Sequence, residues 1–365
     1  MPLALTPRIL RRGVELFALI SLTGVGGILV YYYLSFGDQI ETYLDPFLHL
    51  HWWWLLAGLG LASMDWFAGG LRLWVTTRVV HPGVRYWDMV LASGMGAWGA
   101  YLTPFQSGAS PMIVWRMKEA GIRLPEAMTS VFITFVATVA FFAIAGPLAI
   151  FLGAGQSLQS QGLVLGITLY DLFKTSLTLF GVIGILMLIA ILFPRAVRNF
   201  VQWAAGHVGR RSQRVGARMQ ELSDGIDRAH ECLVAFSSPR GLLTLLEAII
   251  ISGPSHANKL LAGYFAMRTL GLEANFYDIL LLQTLISFLL YFAPTPGASG
   301  LAELLSAAIM SIYVPRVLTP SYTLIWRFIN SYATVITGAA LFWYWVRRGL
   351  ISREEGVSVG MRSAT

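Results

Sequence analysis

The sequence predicts an all-α polytopic membrane protein, with about six full transmembrane helices and two broken, re-entrant helical hairpins arranged as an inverted repeat. Three observations carry that expectation. Hydrophobic residues make up 56% of the 365 residues and charged residues only 12%, against about 25% charged in a soluble domain. Apolar stretches of about 20 residues, the length a helix needs to cross roughly 30 Å of hydrocarbon, recur along the chain. Two further apolar stretches of half that length are each interrupted by a Pro/Gly-rich break.

The first full helix spans about Gly13 to Leu34, behind Arg8, Arg11 and Arg12. That run is too long for a typical signal-peptide core and has no A-x-A-like exit, so it reads as a retained helix. The loop after it carries Asp38, Glu41 and Asp45 without Lys or Arg and is expected outside. A second helix, about His51 to Val75, returns to Arg72, Arg78 and Arg85, expected in the cytoplasm. Trp52, Trp53 and Trp54 suit an outer aromatic belt.

The first broken hairpin covers about residues 87–123. Met89 to Leu102 is short, apolar and rich in Gly and Ala, and it runs into Thr103-Pro104-Phe105-Gln106-Ser107-Gly108-Ala109-Ser110-Pro111. Met112 to Trp115 then meets Arg116, Lys118 and Arg123. Irregular backbone at membrane depth is tolerated only where protein or a wet cavity surrounds it. Full helices follow at about Ala127 to Leu152 and Leu177 to Leu192. Residues 195–235 hold seven arginines between Arg195 and Arg228. Val215, Met219, Leu222, Ile226, Ala229 and Leu233 recur there at spacings of four and three, as an amphipathic helix on the inner surface would place them.

A helix from about Leu242 to Leu270, with Pro254 near its middle, crosses back. The second broken hairpin covers about residues 278–314: Ile279 to Phe292, then Pro294-Thr295-Pro296-Gly297-Ala298-Ser299-Gly300, then Leu301 to Tyr313. The last helix, about Tyr322 to Val346, stops at Arg347 and Arg348. Residues 1–350 thus form one membrane domain, and 351–365 a polar tail. Both termini are expected in the cytoplasm and the protein in the cytoplasmic membrane. The tripeptides Gly108-Ala109-Ser110 and Gly297-Ala298-Ser299 recur in the two breaks, and the helix count brings one hairpin in from each side. Secondary transporters recurrently build a midplane substrate site from such discontinuous helices.

Ionisable groups at membrane depth are functional candidates by default. Glu303 sits one turn past the second break, where a half-helix N-terminus favours negative charge. Arg327, with Asn330 on its face, is placed to pair with it, for function or only for packing. His256, Asn258 and Lys259 follow Pro254 and are candidates to contact an anionic head group, with Pro296 and Gly297 shaping the break beside them. Ser110 and Ser299, with the amides beside Gly108 and Gly297, would present donors to an anion where half-helices begin. Arg116 is a further candidate cation. Asp65 and Arg72 share a face of the second helix, with Arg72 free to snorkel to the interface.

The net charge of +7 is spread over helix ends and loops rather than one face, which excludes a nucleic-acid role. The single Cys232 excludes a disulfide framework. There is no H-E-x-x-H, G-x-S-x-G or P-loop pattern, so neither a cofactor, a metal nor a catalytic centre is expected.

The residues 103–127, TPFQSGASPMIVWRMKEAGIRLPEA, the segment PTPGASGLAE at 294–303 and LIWRFINSYATVITG at 324–338 resemble three signatures of the lysylphosphatidylglycerol synthase transmembrane region, also called the flippase-like domain family. The first departs at Ala109 and Ser110, where a second glycine and a glutamine are common. The resemblance implies movement of a phospholipid between leaflets. It does not extend to an aminoacyl-transferase domain, so the lipid need not be an aminoacylated one. Membrane lipids with an anionic head group are the expected partners, and a homo-oligomer is compatible with the pattern. Glu303 is the candidate proton carrier of such transport. The competing expectations are an intramembrane enzyme acting on a lipid head group, using Glu303 and His256, and a non-transporting membrane partner subunit.

Overall fold

The structure is a computed structural model. It describes residues 46–151, 234–273, 275–291 and 293–344, with isolated positions between 15 and 34, between 175 and 203, and at 231. Apart from those isolated positions, the expected helices at 13–34 and 177–192, the amphipathic segment 195–235 (save its last residues) and the tail 351–365 lie outside the described residues. Every described element is helical: α1 (Trp52–Ala62), α2 (Met64–Val80), α3 (Tyr86–Tyr101), α4 (Ala109–Glu119), α5 (Leu124–Phe151), α6 (Pro239–Ser255), α7 (Ala257–Thr269), α8 (Phe276–Tyr291), α9 (Leu301–Met310) and α10 (Thr319–Arg327). A π-helical turn, Phe328–Tyr332, carries α10 on into α11 (333–344).

Two helices expected to be continuous are interrupted. The stretch from His51 to Val75 is split at Ser63, whose hydroxyl donates to the Gly60 carbonyl at 2.6 Å. The stretch from Leu242 to Leu270 does not merely kink at Pro254 but ends at His256 and restarts at Ala257. His256 closes α6: its backbone amide donates to the Ser252 carbonyl at 3.1 Å, and its Nδ1 lies 2.9 Å from the same oxygen. The last helix starts at Thr319 rather than Tyr322 and carries the π turn.

These interruptions organise the fold. α2 packs on α3, α5 and α6, and α4 on α3 and α5, forming one half. α7 packs on α1, α8 and α10, and α9 on α8 and α10, forming the other. Each interrupted helix therefore gives one piece to each half. The same order of elements occurs twice: an interrupted helix, a hairpin broken in its middle, then a long helix. Leu282, Leu285, Ile286, Ile309, Tyr322 and Trp326 are the core of the second half, while Leu73, Met89, Ala92 and Met117 cluster in the first.

The two breaks share a backbone conformation. Thr103 (φ −131°, ψ 147°) leads into Pro104 and then Phe105 at φ 53°, ψ 22°. Thr295 (φ −99°, ψ 150°) leads into Pro296 and Gly297 at φ 57°, ψ 22°. The structural correspondence is thus TPFQSG (103–108) with TPGASG (295–300), and the shared Gly-Ala-Ser letters are out of register with it. The breaks touch: the Phe105 amide donates to the Ala293 carbonyl at 2.9 Å.

The first hairpin closes on glycine. A Cβ on Gly108 would lie 2.6 Å from the Gly99 carbonyl oxygen, and one on Gly99 2.7 Å from that of Gly108. Thr103 Oγ1 bridges the same place, accepting from the Gly108 amide at 2.7 Å and donating to the Gly99 carbonyl at 2.9 Å. Gly108→Val should therefore overpack backbone against backbone and lower stability by about 1–3 kcal/mol, read as an earlier thermal unfolding in detergent.

Outer surfaces are apolar. Leu243, Leu246 and Ile250 form an exposed stripe on α6, and Met128 and Phe135 are exposed on α5. Leu124–Ala145, with a mean hydropathy of 2.2, is the single helix among the described residues long and apolar enough to cross a membrane by itself.

Candidate functional site

Where the breaks meet, a cavity opens onto both. Its polar wall comes from five places. Tyr101 ends α3, Gln106 sits in the first break, and Lys259 begins α7. Ser287 and Tyr291 come from the last turns of α8, while Arg327 and Asn330 come from α10 and the π turn. Its volume is about 30 Å³, enough for one or two waters and too little for a phospholipid head group. Among the described residues, the non-glycine positions with positive φ are Phe105, Gln106 and Ala298. All three belong to the breaks, and such strain concentrates where surrounding structure enforces a functional conformation.

Arg327 is built in from behind. Its Nε donates to Glu303 Oε1 at 2.8 Å, and Nη2 donates to the Gly297 carbonyl at 2.9 Å and to Ser299 Oγ at 3.2 Å. Glu303 and Arg327 are 0% and 1% exposed, so the ion pair suggested by their positions is formed and buried. The second carboxylate oxygen of Glu303 accepts from the Gly300 amide at 2.7 Å, capping α9. Glu303 is therefore fully engaged and lies behind the cavity wall.

Lys259 is different. Its Nζ stands 5.7 Å from the centre of the Tyr291 ring, and it has no hydrogen bond or ion pair among the described residues. Asn258 beside it is fully buried and donates to Asp65 Oδ2 at 2.9 Å.

The other expected residues sit elsewhere. His256 packs against the Phe142 ring at 5.4 Å, with Nδ1 on Ser252 and Ser255. Arg116 pairs with Asp88 at 2.7 Å near the far end of the hairpin. Ser110 is exposed outside the cavity, Gly108 serves the helix crossing, and the Ser299 hydroxyl oxygen accepts from Arg327. Pro296 is buried at the start of the second break, with Gly297 on the cavity. Arg72 does not snorkel outward: its Nη1 donates to Thr138 at 2.6 Å and Ser252 at 3.1 Å between α2, α5 and α6. Tyr101, Gln106, Ser287 and Tyr291 escape sequence reasoning, because only the meeting of two distant breaks places them together.

Fold and site together define an all-helical protein with an apolar exterior and a basic, hydroxyl-lined cavity at the contact of two broken hairpins. The family model of the lysylphosphatidylglycerol synthase TM region matches residues 14–338, nearly the whole chain, and the chain belongs to that family. It is a membrane protein. No curated protein matches the chain.

Proposed function

We propose that the protein is a lipid transporter that moves a phospholipid or related anionic lipid between leaflets of the cytoplasmic membrane, without covalent chemistry. The observation that carries this reading is Lys259: a half-buried ammonium on the wall of a polar cavity beside Arg327, with no hydrogen bond or ion pair within 4.0 Å among the described residues. A cation at membrane depth is costly unless paired or hydrated, and a phosphate oxygen would give it a charge-assisted hydrogen bond. Tyr101, Ser287 and Tyr291 would add hydroxyls around the same head group, while acyl chains stay in lipid outside.

The two hairpins are read as entering from opposite sides, as an inverted repeat with both termini in the cytoplasm. The repeated element order and the matched backbone of the breaks support this. We read the space of about 30 Å³ as a narrowed state of the pathway, with access alternating as the halves part at the Phe105–Ala293 contact. Pieces of the interrupted helices belong to opposite halves, so Ser63 and His256 are the natural hinges.

The test is leaflet exchange of fluorescent lipids in liposomes holding the pure protein, followed by external quenching. Anionic phospholipid should exchange faster than in empty liposomes and faster than a zwitterionic lipid. Exchange equal to that of empty liposomes for every lipid would end this reading.

A further inference from the structure

The last described helix changes sides at its π turn. α10 packs in the second half, against α7 and α9. Beyond Phe328–Tyr332, Val335, Ala339 and Phe342 of α11 pack instead into the cluster of Met95, Trp98 and Tyr101 on α3. The Trp98 and Phe342 ring centres lie 5.1 Å apart there. The turn is thus a joint between the halves, like Ser63 and His256, and π turns fall frequently at functional sites.

A hydrogen bond from Tyr101 fastens that joint to the first half. Tyr101 Oη, at the end of α3, donates to the Asn330 carbonyl in the π turn at 2.5 Å. Asn258 Nδ2, from the second half, stands farther from that carbonyl at 3.5 Å and donates to Asp65 at 2.9 Å. The side-chain oxygen of Asn330 is buried without a donor, so the crossing at Asn330 rests on its carbonyl. The halves are also joined from Asn258 to Asp65 and from the Phe105 amide to the Ala293 carbonyl. Neither of those pairs lines the cavity, whereas Tyr101 and Asn330 both do. Of these three crossings, theirs is the one a head group in the cavity can reach.

A tyrosine hydroxyl has a single hydrogen to donate, so a head group and the Asn330 carbonyl compete for it. A hydrogen bond to an ionised oxygen is roughly twice as strong as one between neutral groups. A phosphate therefore wins the hydroxyl, while an uncharged head group only swaps one neutral acceptor for another. Lys259 and Arg327 on the same wall draw the phosphate to that place.

We infer that Tyr101 is the specificity-determining residue of the pathway: it ties the π turn to α3 until an anionic phosphate takes over its hydroxyl hydrogen bond, and only then does the joint yield. It is a positioning residue, acting through the Asn330 carbonyl. This role rests on the transport reading and deepens it, because the phosphate becomes the group that opens the pathway as well as the group that is carried.

The test uses Tyr101→Phe, which keeps the buried ring and removes the hydroxyl; its unfolding temperature in detergent is the control for folding. In liposomes, wild type should exchange fluorescent anionic phospholipid and leave a glycolipid with an uncharged sugar head group at the rate of empty liposomes. Tyr101→Phe should exchange that glycolipid about three- to tenfold faster, the worth of one neutral hydrogen bond. Ser287→Ala, which removes a cavity hydroxyl from the second half alone, should slow anionic exchange without admitting the glycolipid. Hydrogen–deuterium exchange of the full chain in detergent reads the joint itself. Amides of residues 328–335 should exchange faster when anionic phospholipid is added to wild type, and should already be fast without lipid in Tyr101→Phe. Slower anionic exchange in Tyr101→Phe, with the glycolipid still excluded, would overturn the role and leave Tyr101 as a contact of the head group. Equal hydrogen exchange in the two proteins would overturn it as well. Wild type that moves no lipid would end the transport reading. In that case a turn that still loosens on adding anionic phospholipid would uphold the release of Tyr101 by phosphate, and one that does not would overturn both.

Discussion

Arg327→Met is expected to lower stability by about 3–5 kcal/mol, the cost of leaving one partner of a buried ion pair without the other. Glu303 would keep its charge at 0% exposure with only the Gly300 amide against it. The Gly297 carbonyl and Ser299 hydroxyl would lose their shared donor at the same time. Glu303→Gln should be damaging for a related reason: its amide nitrogen must face either the Arg327 Nε or the Gly300 amide, both donors. The double substitution Glu303→Leu with Arg327→Met removes both charges together, and should recover most of the lost stability while leaving lipid exchange abolished. Unfolding of the purified variants in detergent, beside leaflet exchange, separates the two roles. Full stability in either single variant would show that the pair holds nothing together. A double variant that still exchanged lipid would remove Arg327 from the head-group site. This geometry recasts Glu303: a carboxylate with both oxygens engaged and no exposure holds Arg327 in place, and is poorly situated to carry protons.

The breaks and the Glu303–Arg327 neighbourhood were legible in the sequence because proline and glycine announce interrupted backbone and charges are rare in apolar stretches. The interruptions at Ser63 and His256 were not. Around Ser63 the apolar run continues on both sides, with no proline near. At Pro254 the letters suggest a kink, but the helix ends two residues later, where Ser255 and His256 fold their side chains back onto Ser252. The backbone match between the two breaks is hidden in the letters for a related reason. Gly-Ala-Ser is shared as letters, whereas the conformation belongs to Thr-Pro, since proline fixes its own φ and holds the residue before it extended. Phe105 takes up at positive φ what Gly297 does without strain, so the correspondence hides behind unlike residues. Arg116 and Lys259 were equal candidates as cations. Asp88, 28 residues before Arg116, neutralises the one, and the other is left facing the cavity.

That difference makes the second large effect a comparison. Lys259→Ala should slow exchange of anionic lipid about 10- to 100-fold, the worth of one hydrogen bond to a charged group, about 1.5–3 kcal/mol. Arg116→Ala, which removes an equal charge outside the cavity, should leave lipid selectivity as it was. Lys259→Arg keeps the charge, but a planar fork does not fit where a compact ammonium stands over Tyr291, so it should restore head-group affinity only in part. The readout is initial exchange rate against lipid concentration for anionic and zwitterionic lipids, with unfolding temperature as the control for folding. Loss confined to anionic lipid in Lys259→Ala, at unchanged stability, ties the ammonium to the phosphate. An equal loss for both lipids would mean that Lys259 serves the movement of the halves, acting through Asp65 and Tyr291, and that head-group recognition lies with Arg327 alone.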